Sequence, residues 1–143
     1  MYIVSACFLG ENCKYDGGNN LNAKVLKLIE GHNYLPVCPE MAVGFPAPRP
    51  PAEIRGGRVY NNKGEDLTDL FREGAEKVLK EAREKALSLG EEIELALLKA
   101  KSPTCGSKRI YDGTFSHKVV DGNGVFAELL INNGIKVISE EEC

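Results

Sequence analysis

The sequence predicts an α/β fold: a three-layer domain built on a mostly parallel sheet of about four strands, with a small β-hairpin beside it. Three observations predict it. Four short apolar runs, at 2–7, 34–38, 93–99 and 136–139, have the length of buried strands. Three segments between them repeat their apolar residues at helical spacing. Strands that alternate with helices pair in parallel and carry the helices on the faces of the sheet. At 143 residues the chain is expected to be one domain spanning 1–143, able to bury roughly two-thirds of its unfolded surface.

In chain order, the first strand is "YIVSAC" at 2–7. A helix over 21–30 follows, with Leu21, Val25, Leu26 and Ile29 as its apolar stripe, Asn20 as N-cap and Gly31 as its stop. The second strand is "YLPVC" at 34–38. The stretch 39–64 holds five of the seven prolines and has no helical period. Within it, "EIRGGRVYNNKG" reads as a hairpin about Gly56-Gly57, and 39–53 reads as a stiff loop. Loops of that length in compact domains are usually functional, so this one is expected to wall an active site.

The longest helix is expected over 66–89, with Leu67, Leu70, Phe71, Ala75, Val78, Leu79, Ala82, Ala86 and Leu89 on one stripe and Gly90 ending it. A third strand at 93–99, a helix at 122–133 bearing Val125, Phe126, Leu129 and Leu130, and a last strand at 136–139 complete the pattern.

A composition of 43% apolar and 27% charged residues is that of an ordinary globular protein. No apolar run approaches the ~20 residues of a membrane span. The N-terminal run lacks the basic start of a signal peptide, so a cytoplasmic location is expected. A net charge of −3 argues against a protein whose main business is gripping nucleic acid, although Lys108, Arg109 and Lys118 could hold one small anion. Nothing in the pattern speaks to oligomeric state.

Five cysteines in such a chain suggest metal or catalysis rather than a disulfide framework. Cys7, Cys38 and Cys105 each fall just beyond a strand, and ligands of open parallel sheets bind beyond the carboxyl ends of the strands. Neighbouring strands would therefore bring three distant cysteines into one crevice. A free cysteine often serves as a small buried hydrophobe, but "VCPE" and "SPTCGS" are turn-forming settings unsuited to that role. Zinc prefers four ligands, commonly from close-spaced pairs. There is no C-x-x-C, and His32 and His117 are isolated, His32 reading as a solvent-facing loop residue. Three thiolates suit an iron–sulfur cluster with one iron left open, able to act as a Lewis acid toward a soft substrate atom.

Around the cysteines, Glu40 lies two residues beyond Cys38, in a partly dry site suited to proton transfer. Ser102, three residues before Cys105, is a candidate to orient substrate or water, or else a turn residue before Pro103. Arg49 is a candidate anion or carbonyl contact. Asp16 in "KYDG" and Asp112 in "IYDG" read as braces of their loops through backbone hydrogen bonds. Cys13 can be a fourth ligand, a redox partner or a buried thiol. "CFLGENCK" has a phosphatase-like spacing, but Cys13 and Lys14 stand where that loop needs arginine. Cys143, the last residue, is expected to fray.

"VSACFLGENCKYDG", "PVCPE", "PRPPAEI", "SPTCGS" and "IYDGTFS" together resemble the 2-thiouracil desulfidase family, along 1–139. The resemblance implies a Rossmann-like sheet carrying a 4Fe–4S cluster on Cys7, Cys38 and Cys105, with one iron not ligated by protein. It also implies Glu40 and Ser102 as catalytic residues, with Thr104 standing where a serine is the rule. The implied reaction is hydrolytic and non-redox: the thiocarbonyl of a small thiolated nucleobase becomes a carbonyl and sulfide is released. Competing classes remain open on the residues alone. A non-catalytic iron–sulfur carrier needs the cysteines but not Glu40. A thiol redox enzyme using Cys7 and Cys13 needs no metal, and a binding module would use the cysteines only as structure.

Overall fold

A computed structural model describes residues 1–143. The elements run β1 (Tyr2–Ser5), a 3-10 turn (Ala6–Leu9), α1 (Ala23–Ile29), β2 (Tyr34–Val37), α2 (Pro39–Ala42), β3 (Ala52–Arg55) and β4 (Arg58–Asn61). They continue with α3 (Thr68–Leu89), β5 (Leu95–Leu98), β6 (Arg109–Tyr111), β7 (Val119–Asp121), α4 (Val125–Asn132), β8 (Val137–Ser139) and a closing 3-10 turn (Glu140–Glu142).

The central sheet has four strands in the order β2-β1-β5-β8, every neighbour parallel. Alternation along each strand assigns side chains to opposite faces. Ile3, Val37, Ala96, Leu98 and Val137 join one core with the apolar stripes of α3 and α4. Val4 and Leu97 face the other way and pack with Val25 and Ile29 of α1 and with Phe8. Helices thus cover both faces, as the fold class requires. No helix is long and apolar enough to cross a membrane.

The chain leaves β1 toward β2 on one side and reaches β5 on the other. The reversal of strand order falls between β1 and β5, where open α/β sheets form their ligand crevice.

Several local expectations are corrected. Asn22, not Asn20, caps α1, its side chain accepting from the Lys24 and Val25 amides at 3.0 and 3.1 Å. Leu21 lies before the helix, and Leu26 points to solvent. In α3 the buried stripe is Phe71, Ala75, Val78, Leu79, Ala82 and Ala86, while Leu70 and Leu89 flank it in solvent.

The expected loop 39–53 begins as the helical turn α2, because Pro39 at the first helical position has a φ already suited to a helix and no N–H to lose. The hairpin about Gly56-Gly57 is present as β3–β4. A second one, β6–β7, has no counterpart among the elements expected from the sequence. At the end of the chain, Ser139 and Glu142 form a reciprocal cap on the last turn, and the Cys143 thiol donates to the Ser139 carbonyl at 3.5 Å.

Candidate iron–sulfur site

The three cysteines named from the sequence follow β1, β2 and β5, three adjacent strands, at their carboxyl ends. Cys7 sits in the 3-10 turn that ends β1, Cys38 precedes α2, and Cys105 lies in the loop after β5. Cys7 and Cys105 are buried and Cys38 is half-buried; no cysteine is in a disulfide. Cys13 joins them: the Cys38 thiol donates to the Cys13 carbonyl at 3.9 Å, and the Cys13 thiol neighbours those of Cys7 and Cys38. The charges of Cys7, Cys38 and Glu40 all bear on Cys105, so the four thiols and the carboxylate share one end of the sheet.

Each loop is pinned. The Cys7 carbonyl accepts from the Asn20 amide at 2.9 Å, and Asn20 Nδ2 donates to Cys7 Sγ at 3.4 Å. Asn20 therefore serves the Cys7 loop instead of capping α1. Ser102 Oγ accepts from the amides of Thr104 and Cys105 at 3.1 and 3.0 Å, which folds the Cys105 loop back on itself. Ser102 thus occupies the turn position anticipated before Pro103.

The amino end of α4 docks on that loop, where the Phe126 and Ala127 amides donate to the Thr104 carbonyl at 2.9 and 3.1 Å. Only glycine permits the approach: a Cβ on Gly124 would lie 2.5 Å from the Thr104 carbonyl oxygen. Gly74 does the same for α3 against α2, since a Cβ there would overlap the Pro39 carbonyl oxygen.

The proline loop lies against this end of the sheet. The Arg49 amide donates to the Tyr15 carbonyl at 2.6 Å, and Arg49 Nη2 donates to the Cys13 carbonyl at 2.8 Å. The same Nη2 pairs with Glu40 Oε2, while Thr104 Oγ1 donates to Glu40 Oε1 at 3.0 Å. Arg49 and Glu40 therefore come together, and the anion and carbonyls that Arg49 contacts belong to the protein. Thr104, named only as a departure from a motif, is a hydroxyl link between the Cys105 loop and Glu40. A cleft of about 280 Å³ opens beside Cys13 and Cys38, with Ala6, Met41, Val78 and Glu81 among its walls.

Other candidates lie elsewhere or act locally. Asp16 Oδ1 accepts from the Gly18 amide at 2.9 Å, and Asp112 Oδ1 accepts from the Thr114 amide and hydroxyl at 2.9 and 2.6 Å, so each closes its own turn. Lys108 pairs with Glu142 and Arg109 with Asp121, so two of the three cations of the expected anion cluster are matched to carboxylates. His32 stacks on Tyr2, and His117 meets Tyr111 edge-on.

The donor chemistry fits an iron–sulfur cluster. The neighbouring Cys13 thiol brings Cys7 and Cys38 each down to about 7, toward the thiolate that a metal needs. Contacts with Cys38 and Cys7 push Cys13 itself well up. Burial raises Cys105, and metal binding displaces the proton from such a thiol. No three His, Cys, Asp or Glu side chains close around one point as a single metal ion requires. Cluster ligands need no such closure, because each thiolate takes a different iron.

Comparison with known proteins agrees in kind. The family model described as 2-thiouracil desulfurase matches residues 2–142. An uncharacterised protein of Bacillus subtilis (strain 168), YbbK, is 41% identical over 152 aligned positions that cover 99% of this chain and 97% of its own. A solved structure of TudS, a [4Fe-4S]-dependent thiouracil desulfidase, superposes with a TM-score of 0.85 at 43% identity, covering 99% of this chain and 91% of that one. This chain belongs to the 2-thiouracil desulfurase family.

Proposed function

We propose that the chain is an iron–sulfur-dependent desulfidase, converting the C=S of a small 2-thiouracil-like thiobase to C=O with release of hydrogen sulfide. The observation that carries this reading is the gathering of Cys7, Cys38 and Cys105 at the switch point of the sheet, with Glu40 fixed beside them. These cysteines would hold a 4Fe–4S cluster that keeps one iron without a protein ligand, and the similarity to TudS supports that cofactor. Bound there, the cluster would supply a thiophilic Lewis acid for a substrate thiocarbonyl.

The chain's own residues supply the rest. Glu40 accepts a proton from the water that attacks the thiocarbonyl carbon and returns it to the departing sulfur. The water oxygen forms the new carbonyl, the C–S bond breaks, and both water protons leave on sulfur, so no electron is transferred. Ser102 Oγ accepts from two amides, and its own O–H is left to donate; we assign it to orienting the base. The apolar walls of the adjoining cleft suit a flat neutral ring. Free thiols and an oxygen-sensitive cluster suit a reducing cytoplasm.

A second reading has one specific observation behind it: the Cys13–Cys7 contact of a thiol redox pair. One experiment separates the two. Protein purified and reconstituted without oxygen should show a broad band near ~400 nm and release sulfide from 2-thiouracil. Glu40→Gln should keep the band and lose about 10²–10⁴-fold in turnover. A preparation that stays colourless after reconstitution, yet reduces disulfides in a manner abolished by Cys13→Ser, would replace our reading with the redox one. A screen of thiolated bases and nucleosides for sulfide release would then define the substrate.

A further inference from the structure

We infer that Arg49 is the positioning residue for Glu40: its guanidinium, with the Thr104 hydroxyl opposite, fixes the carboxylate in the one orientation that the proposed desulfidation uses. The inference rests on that proposed reaction. Both carboxylate oxygens are occupied from different loops, Oε2 by Arg49 Nη2 and Oε1 by Thr104 Oγ1 at 3.0 Å.

The pair is nearly dry, with the Arg49 side chain 8% exposed and that of Glu40 15%. Glu40 sits in a four-residue helical turn, too short to order a long side chain by itself. The guanidinium is in turn immobilised. Nη2 also donates to the Cys13 carbonyl at 2.8 Å, and Nη1 donates to the Pro46 carbonyl at 3.1 Å.

One planar fork therefore joins the Cys13 loop, the proline loop and the Glu40 turn, and Thr104 adds the Cys105 loop. Both Nη groups are engaged within the protein, so Arg49 acts through Glu40 rather than on substrate. A lysine ammonium is a point charge and cannot reproduce the fork.

A double-mutant cycle tests this on two readouts. In the loaded enzyme, Arg49→Met should lower kcat by about 10²-fold, the scale of a misplacement near 1 Å. KM, iron content and the visible band should change little. Placed on Glu40→Gln, the same change should lower kcat no further, because the carboxylate it aims is already gone. Arg49→Lys should lose part of the rate in the wild-type background and none in the Glu40→Gln background.

In the cluster-free protein, the drops in thermal midpoint for Arg49→Met and Glu40→Gln should be less than additive, since both break one contact. Losses in kcat that multiply would reduce Arg49 to a loop tie, and full turnover by Arg49→Met would overturn the inference outright. Additive midpoints would deny the contact. If Arg49→Met fails to fold, the lysine variant carries both readouts. Wild-type protein that holds its cluster but releases no sulfide would sink the proposed reaction instead, and the cluster-free cycle would still judge the contact.

Discussion

Two arginine–carboxylate pairs of the same chemistry sit in unlike surroundings. Arg49 and Glu40 meet beside the cysteines, 8% and 15% exposed; Arg58 and Asp66 meet at the β3–β4 hairpin, 47% and 37% exposed. The exposed pair has water to replace either partner, and such pairs contribute little to stability. Removing one partner of the drier pair strands a charge that water only partly reaches. The crevice pair also has further partners on three loops, whereas Asp66 has only Thr68 at the start of α3 besides Arg58, its Oδ1 receiving the Thr68 amide at 2.9 Å. What separates the two regions is therefore the number of chain segments each contact holds in register, and how far solvent can substitute for it.

The largest break in that comparison should come from Cys105→Ser. A hard oxygen is a poor substitute for thiolate on iron, so iron content and sulfide release should both vanish. The apoprotein should still fold, because the change preserves volume to within one atom and Ser102 still caps the loop. Iron analysis, sulfide assay and a thermal melt check the three parts. A variant that keeps its full iron complement would remove Cys105 from the ligand set.

Gly74→Ala comes next and needs no change at the chemical groups. Alanine favours a helix over glycine by about 1 kcal/mol, yet its Cβ would overlap the Pro39 carbonyl oxygen at the start of the turn that carries Glu40. Overpacking costs about 1–3 kcal/mol, so the melting temperature should fall modestly. Turnover should fall more steeply, because α2 must move and Glu40 moves with it. An unchanged kcat would show that the close approach of α3 to α2 does not set the position of Glu40.

The uneven legibility of the fold has the same cause. The ends of β1, β2 and β5 are readable because each apolar run stops at a turn-forming residue, and a parallel sheet sends all such ends to one side. The partner of Glu40 is less legible. Arg49 lies nine residues away across two prolines, a span whose path no periodicity predicts, and Thr104 lies 64 residues away.

The strands of the β6–β7 hairpin are three residues each, too short to alternate visibly, and a loop containing left-handed Phe115 and His117 separates them. Asn20 reads as a cap from sequence because asparagine caps helices and binds loop atoms with equal chemical ease. Only the fold shows that Asn22 already holds the cap.

The smallest effect belongs to the exposed pair, and it is a pH effect. The Arg58 hydrogen bond, then those of Thr68, hold the Asp66 carboxyl well below the ordinary carboxylate range. A carboxylate depressed in the folded state stabilises the fold above its unfolded value, about pH 4. That contribution disappears as the pH falls toward the lower folded value. Asp66→Asn should therefore melt slightly below wild type at neutrality and decline less steeply in acid, the gap closing as the pH falls below about 4 and shrinking in high salt. Asparagine can still receive the Thr68 amide, which isolates the charge from the cap. Sulfide release at pH 7 should not change. If Asp66→Asn cut turnover as deeply as Glu40→Gln, burial and loop count would not be what distinguishes the two pairs, and the hairpin would have to be redrawn as part of the site.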